Sequence, residues 1–197
     1  MKKHILFIIG IILSVNILFA PIKKGTYYEA LNETAYYQFK EFKAQKIKEI
    51  RAKQFELFLV KLGKLESNNN WKIYNPYGYM GEWQLGEDAL RTIGYHDITF
   101  SNFKDDPNSF PRKLQKEAVI KLIEYNESYI NKHYIHFVGQ TINNVYITKA
   151  GLLAAAHLGG NGSLGRFLKS NGKVNCKDAY NTSIGDYLQK FSDIYIT

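Results

Sequence analysis

Leu62–Arg91 reads LGKLESNNNWKIYNPYGYMGEWQLGEDALR, and one carboxylate in it organises the chain. Counting back from Glu66 by four, seven and eleven residues gives Leu62, Leu59 and Phe55, the spacing of one face of an α-helix. An apolar face turns to a core, and Glu66 is expected to turn with it. Ser67 and Asn68–Asn70 follow directly, and such side chains compete for backbone hydrogen bonds and favour a turn. Glu66 is therefore placed at a helix C-terminus. Partial burial disfavours an ionised carboxylate, and a helix C-terminus is the negative end of the helix dipole, so both effects predict a raised pKa. A carboxyl that keeps its proton near neutral pH can act as a general acid. The plain alternative is an acid that turns to solvent at the helix end or makes a core hydrogen bond.

Beyond the asparagines, Asn75 to Gln84 form a glycine-punctuated loop with an amide at its end, followed by the helix-like GEDALRTIG. Here the chain resembles the lytic transglycosylases of the soluble, lysozyme-like type and, more distantly, the goose-type lysozymes. The family pattern is Glu-Ser, a short asparagine-containing spacer, then Ser-x-x-Gly-Ala-x-Gly-Leu-Met-Gln. Glu66 and Ser67 match the first pair, and Gly78, Gly81 and Gln84 match the second block at the right spacing. Asn75 stands in place of the serine, Tyr79 of the alanine, and Glu82-Trp83 of the Leu-Met pair.

With 197 residues the chain holds one domain of ordinary size plus a terminal segment. A hydrophobic fraction of 45% and an aromatic fraction of 15% exclude a disordered chain, and a net charge of +8 suits an anionic partner. No segment carries a nucleic-acid recognition motif, so nucleic acid is not an expected partner. Cys176 is the single cysteine, which excludes an intramolecular disulfide, and no zinc-type cluster is present. His133 and His136 lack a third ligand and read as surface or packing residues.

Met1-Lys2-Lys3-His4 precedes an apolar run from Ile5 to Ala20, the layout of a secretory signal. The border is poor for cleavage, with Leu18 two residues before Ala20 and Pro21 after it, so an uncleaved anchor is favoured over a removed signal peptide. Residues 1–22 are assigned to that segment, 23–53 to a helical arm and 54–197 to the catalytic domain. The expected location is the periplasm or cell envelope, with tethering to the inner membrane by residues 5–20. In the arm, Leu31, Ala35, Phe39 and Phe42 share one stripe, followed less regularly by Ile47 and Ile50. Either the arm stands free or it packs on the domain.

A separate helix over about 54–66 carries the acid, and a short helix over 86–93 ends at Gly94, a common left-handed cap. Tyr95–Phe110 shows no regular period and reads as a polar connection. Pro111 suits the first turn of a helix running to about Lys132, with Leu114, Ala118, Leu122, Tyr125 and Tyr129 expected on its core face. In Ile147–Leu168, Thr148 is a candidate N-cap, and Ala150, Gly151, Ala154, Ala155 and Ala156 allow close helix contact. Gly159, Gly160 and Gly162 are expected to turn the chain into a helix starting near Ser163. This block resembles the family's Ala-Ala-Tyr-Asn-Ala-Gly-x-Gly segment: Gly160 and Gly162 match, while His157 stands for the tyrosine and Leu158 for the asparagine. His157 either hydrogen-bonds substrate or fills the wall of the pocket. Ser183–Phe191 reads as a closing helix whose Tyr187 matches the family's tyrosine beside the catalytic acid.

The resemblance implies a mainly α, lysozyme-like single catalytic domain; the periodicities alone support a mainly helical one. It also implies cleavage of peptidoglycan glycan strands between N-acetylmuramic acid and N-acetylglucosamine, with Glu66 as acid and then base, 1,6-anhydro ends, and no metal or organic cofactor. The substrate-binding set is Ser67, Asn75, Gly78, Gly81, Gln84, His157, Gly160 and Tyr187. Trp71, Tyr77, Tyr79 and Trp83 suit stacking on sugars or core packing equally. Two alternatives stay open: a muramidase in which Glu82 is the second carboxylate, and a non-catalytic glycan-binding protein on the same fold.

Overall fold

The computed structural model describes residues 24–196, with side chains described from Asn32 onward. The N-terminal segment expected to be an anchor or signal lies outside the described residues. Among the described residues, no helix is long and apolar enough to cross a membrane.

The described chain is mainly helical. Helix α1 runs from Lys24 to Ser67 without interruption, where two helices were expected to meet near Lys53. The physical reason is local: neither proline nor glycine occurs between Gly25 and Gly63, and Arg51-Ala52-Lys53-Gln54 are good helix formers. The helix stops where the sequence predicts. Asn68 and Asn69 take φ of +57° and +60°, and Asn69 N–H reaches back to the Gly63 carbonyl at 3.0 Å, closing the last turn.

The described residues fall into two compact units, 24–49 and 50–196. In the first, Tyr36, Phe39, Phe42 and Ile47 are exposed. The second contains the remaining elements: α2 (Glu87–Thr92), α3 (Phe100–Asp105), α4 (Arg112–His133), the two-residue strands β1 (Thr141–Ile142) and β2 (Val145–Tyr146), α5 (Lys149–Lys169) and α6 (Ile184–Lys190). β1 and β2 pair antiparallel, Thr141 opposite Tyr146 and Ile142 opposite Val145.

Phe58, Leu59 and Leu62 of α1 are buried and Phe55 packs at the edge of the same core, as the four-three spacing requires. α5 is the central element. Its residues Ala150 to Ala156 are all buried, and α6 lies so close that a Cβ on Gly151 would sit 2.8 Å from the Leu188 carbonyl oxygen. Thr148 caps α5 by accepting from Gly151 N–H, and Ser183 caps α6 in a reciprocal box with Asp186. The expected break in the glycine run falls at Gly160, whose φ of +72° and ψ of 165° are non-helical, so that α5 is two helices joined across a kink.

Two expectations are corrected. The connection 95–110 contains α3, capped by Thr99, and a 3₁₀ turn at Pro107–Ser109; Phe103 and Phe110 from it are fully buried. The helix is short and its apolar residues too few to show a period. In α4 the buried stripe is Gln115, Ala118, Val119, Leu122, Ile123, Asn126 and Ile130, whereas Tyr125 and Tyr129 are exposed. Two adjacent stripes compete on this helix, and the tertiary partners cover the one carrying Val119, Ile123 and Ile130.

Candidate active site

Glu66 ends α1 half-way into the domain, with 13% of its side chain exposed. The helix face that carries Leu59 and Leu62 brings it there, and the asparagine turn releases the chain before the acid could be covered. Its Oε1 accepts a 2.6 Å hydrogen bond from the Tyr187 hydroxyl of α6, while Oε2 makes none among the described residues. His157 of α5 brings Nε2 to 3.9 Å from the same Oε1. That nitrogen lies 2.8 Å from the Trp83 carbonyl oxygen. A carbonyl only accepts, so Nε2 carries a proton; Nδ1 is buried without a hydrogen-bond partner among the described residues.

Burial holds the Glu66 carboxyl above its ordinary value, against the opposing pull of the His157 imidazole and the Tyr187 hydroxyl. The Asp178 charge adds to the rise and Lys190 reduces it. Burial and the neighbouring Glu66 carboxyl likewise push the Tyr187 hydroxyl far upward, so Tyr187 remains a donor. Removing that donor in Tyr187→Phe deprives the Glu66 carboxylate of a stabilising hydrogen bond. Turnover on peptidoglycan is expected to fall about 10-fold, and the loss of activity on the alkaline side to move to higher pH, because the bond lowers the Glu66 pKa. A pH–rate profile of the variant checks both.

Glu66 opens on a cavity of about 730 Å³. Its walls come from the loop after α1 (Tyr74, Asn75, Tyr77 and Tyr79), from Gln84, from His157 and Leu158, and from a loop before α6 that includes Asp178 and Tyr180. The Tyr77 and Tyr180 rings meet edge to face with centroids 5.7 Å apart, so the two loops touch. A second cavity of about 750 Å³ adjoins the first, sharing Tyr77, Tyr79, His157 and Leu158 and continuing to Tyr125, Asn126 and Asn161.

The candidate residues divide into two groups. Asn75, Gln84, His157 and Tyr187 line the Glu66 cavity, and Gly78 and Gly160 line the adjoining one. Asn75 Oδ1 accepts from Tyr77 and Tyr79 N–H, and its Nδ2 donates to Gln84 Oε1 at 3.0 Å, so the two amides shape the loop as well as the cavity. Ser67, Gly81 and Glu82 line neither cavity. Ser67 is buried, donating to the Glu82 carbonyl at 2.8 Å and accepting from Asn70 N–H. Gly81, at φ +77°, lies where a Cβ would collide with the Gln115 side chain, so its absence of a side chain is a packing requirement.

Glu82 corrects the two-carboxylate alternative built on it. Its side chain is 4% exposed, and Arg112 grips it from both sides, Nε to Oε2 at 2.6 Å and Nη2 to Oε1 at 3.0 Å. A Gly63 Cβ would touch its Cγ, which places Glu82 beneath α1. Trp83 is likewise core, donating from Nε1 to the Leu59 carbonyl, and Trp71 lines neither cavity; Tyr77 and Tyr79 do.

The loop residues Asp178 and Tyr180, together with Tyr74, belong to the Glu66 cavity although their sequence context did not single them out. Only the Asp178-x-Tyr180-x-Thr182 pattern, an Asp ahead of a turn, hinted at a structured loop there. Compared with protein-family models, with curated proteins and with solved structures, the chain matches none of them.

Proposed function

We propose that the protein is a peptidoglycan lytic transglycosylase with a lysozyme-like catalytic domain, cleaving the bond between N-acetylmuramic acid and N-acetylglucosamine. The observation that carries this reading is the Glu66 carboxyl itself: buried, with its pKa raised by that burial, Oε1 occupied by Tyr187 and Oε2 left free in a cavity of sugar-binding size. Since Oε1 already accepts from Tyr187, the acid's proton resides on Oε2. Glu66 passes that proton to the bridging oxygen, and the bond from the muramic C1 to that oxygen breaks. The muramic 6-hydroxyl oxygen then attacks C1 and gives its proton to the same carboxylate, closing a 1,6-anhydro ring and restoring the acid. The Tyr187 hydroxyl, which donates to Oε1, stabilises the carboxylate between the two transfers.

Exposed Tyr74, Tyr77, Tyr79 and Tyr180 around the cavity support a saccharide ligand, because sugar faces stack on aromatic rings whose polar tips stay in water. Export, with residues 5–20 at the inner membrane, belongs to the same proposal, since glycan strands lie outside the cytoplasm.

Mass spectrometry of fragments released from purified peptidoglycan tests it. Anhydro muramic ends, lighter by one water than hydrolytic ends, are expected. Reducing ends in their place would overturn transglycosylation, and binding with no release at all would return the chain to the glycan-binding alternative.

A further inference from the structure

Glu66 and Asp178 are the two carboxylates that line the Glu66 cavity, and only the first has a role in the reaction as written above. Asp178 is half-buried in the loop leading to α6. Its Oδ1 accepts from Tyr180 N–H at 2.9 Å and from Thr182 N–H at 2.7 Å, and its own N–H donates to the Thr182 carbonyl at 2.9 Å. The two bonds to Oδ1 fix the side chain in one orientation. Among the described residues Oδ2 accepts no hydrogen bond and no cation pairs with the group: the adjacent Lys177 gives its ammonium to Asn181 Oδ1 at 2.8 Å. A carboxylate that served only to hold its loop would need Oδ1 alone, and an amide would serve as well. What remains is a fixed negative charge on the wall of a partly enclosed cavity. The Tyr180–Tyr77 contact holds its loop against the loop that follows Glu66.

We propose that Asp178 is a second catalytic carboxylate of this site, facing the positive charge that develops on the sugar ring as Glu66 protonates the departing oxygen. The proposal rests on the acid role of Glu66. When the C1–O bond breaks, its electron pair leaves with the oxygen and the deficit is shared between C1 and the ring oxygen. Asp178 forms no bond and exchanges no proton; its carboxylate stabilises that charge until the 6-hydroxyl oxygen closes on C1 and its proton returns to Glu66. A preoriented charge on the cavity wall needs no reorganisation during the reaction, which is the condition under which such groups contribute most. The same charge reaches the acid: Asp178 raises the Glu66 pKa, whereas His157 of α5 and Tyr187 and Lys190 of α6 lower it.

Asp178→Asn separates charge from scaffold, since the amide oxygen still accepts both N–H groups. In the full chain acting on purified peptidoglycan, kcat is expected to fall about 100-fold with little change in KM, and the alkaline loss of activity to move to lower pH as the charge that raises the Glu66 pKa is removed. Unchanged kcat in a folded variant, or a loss confined to KM, would overturn the proposal. A second measurement needs no catalysis. The unaltered protein should bind a chitooligosaccharide whose terminal ring oxygen is replaced by a protonated nitrogen more tightly than the neutral parent sugar, and Asp178→Asn should abolish the preference; equal binding of the two ligands would also overturn it. Failure of the underlying reading has a different signature, which is full activity in Glu66→Gln.

Discussion

Glu66→Gln is expected to abolish release of fragments from peptidoglycan, lowering turnover by about 1000-fold or more, while raising the stability of the fold near neutral pH. The amide keeps the shape of the side chain and an oxygen to accept from Tyr187, but carries no proton to donate. The stability change follows from linkage. Burial raises the folded-state pKa above the unfolded one, so as pH rises the unfolded chain loses this proton first and the native state is penalised. At pH well below the ordinary carboxyl value both states are protonated and the penalty is absent; above the folded pKa it is fully present. Glu66→Gln should therefore melt above the unaltered protein by about 2–4 °C at pH 8, the difference vanishing near pH 4. Melting curves at the two pH values check the sign. A variant that cleaves at the original rate would remove Glu66 from the reaction.

Arg112→Met is expected to cost about 2–3 kcal/mol in urea unfolding. It leaves Glu82, 4% exposed, without the two guanidinium bonds that now satisfy its carboxylate. The cost stays at the lower end of what a broken buried pair brings because Arg112 itself is 61% exposed and water can enter from its side. Glu82→Gln removes the charge together with the need to pair it, so it should lose about 1 kcal/mol and keep both turnover and the identity of the product. Reducing ends in the unaltered protein that disappear in Glu82→Gln would contradict the placement of Glu82 under α1.

The two carboxylates show how far local pattern reaches. Glu66 was legible because everything that places it is within a dozen residues: the Phe55–Leu59–Leu62 face turns it inward and Asn68–Asn70 stop the helix behind it. Glu82 was not legible, because the loop's glycines permit either direction, and the choice is made by Arg112 and Gln115, some thirty residues on, the latter accepting from Glu82 N–H at 2.8 Å. Loop sequence encodes the turn and leaves the side chain's destination to whatever packs against it.

Taken alone, the sequence determined the mainly helical character, the acid at the end of α1, the Thr148 cap, the closing helix after Ser183, the left-handed Gly94 after α2 and the interruption at Gly160. Each is set by interactions spanning a few residues, where periodicity and turn chemistry act directly. Tertiary structure alone decided which stripe of α4 is covered, that Ser67 and Trp83 support the core, and that Asp178 lines the cavity of an acid more than a hundred residues earlier. Those outcomes depend on the close approach of α6 to α5 over Gly151 and on the loop that Asp178 pins. Such contacts are formed between elements, so no periodicity within one element can carry them.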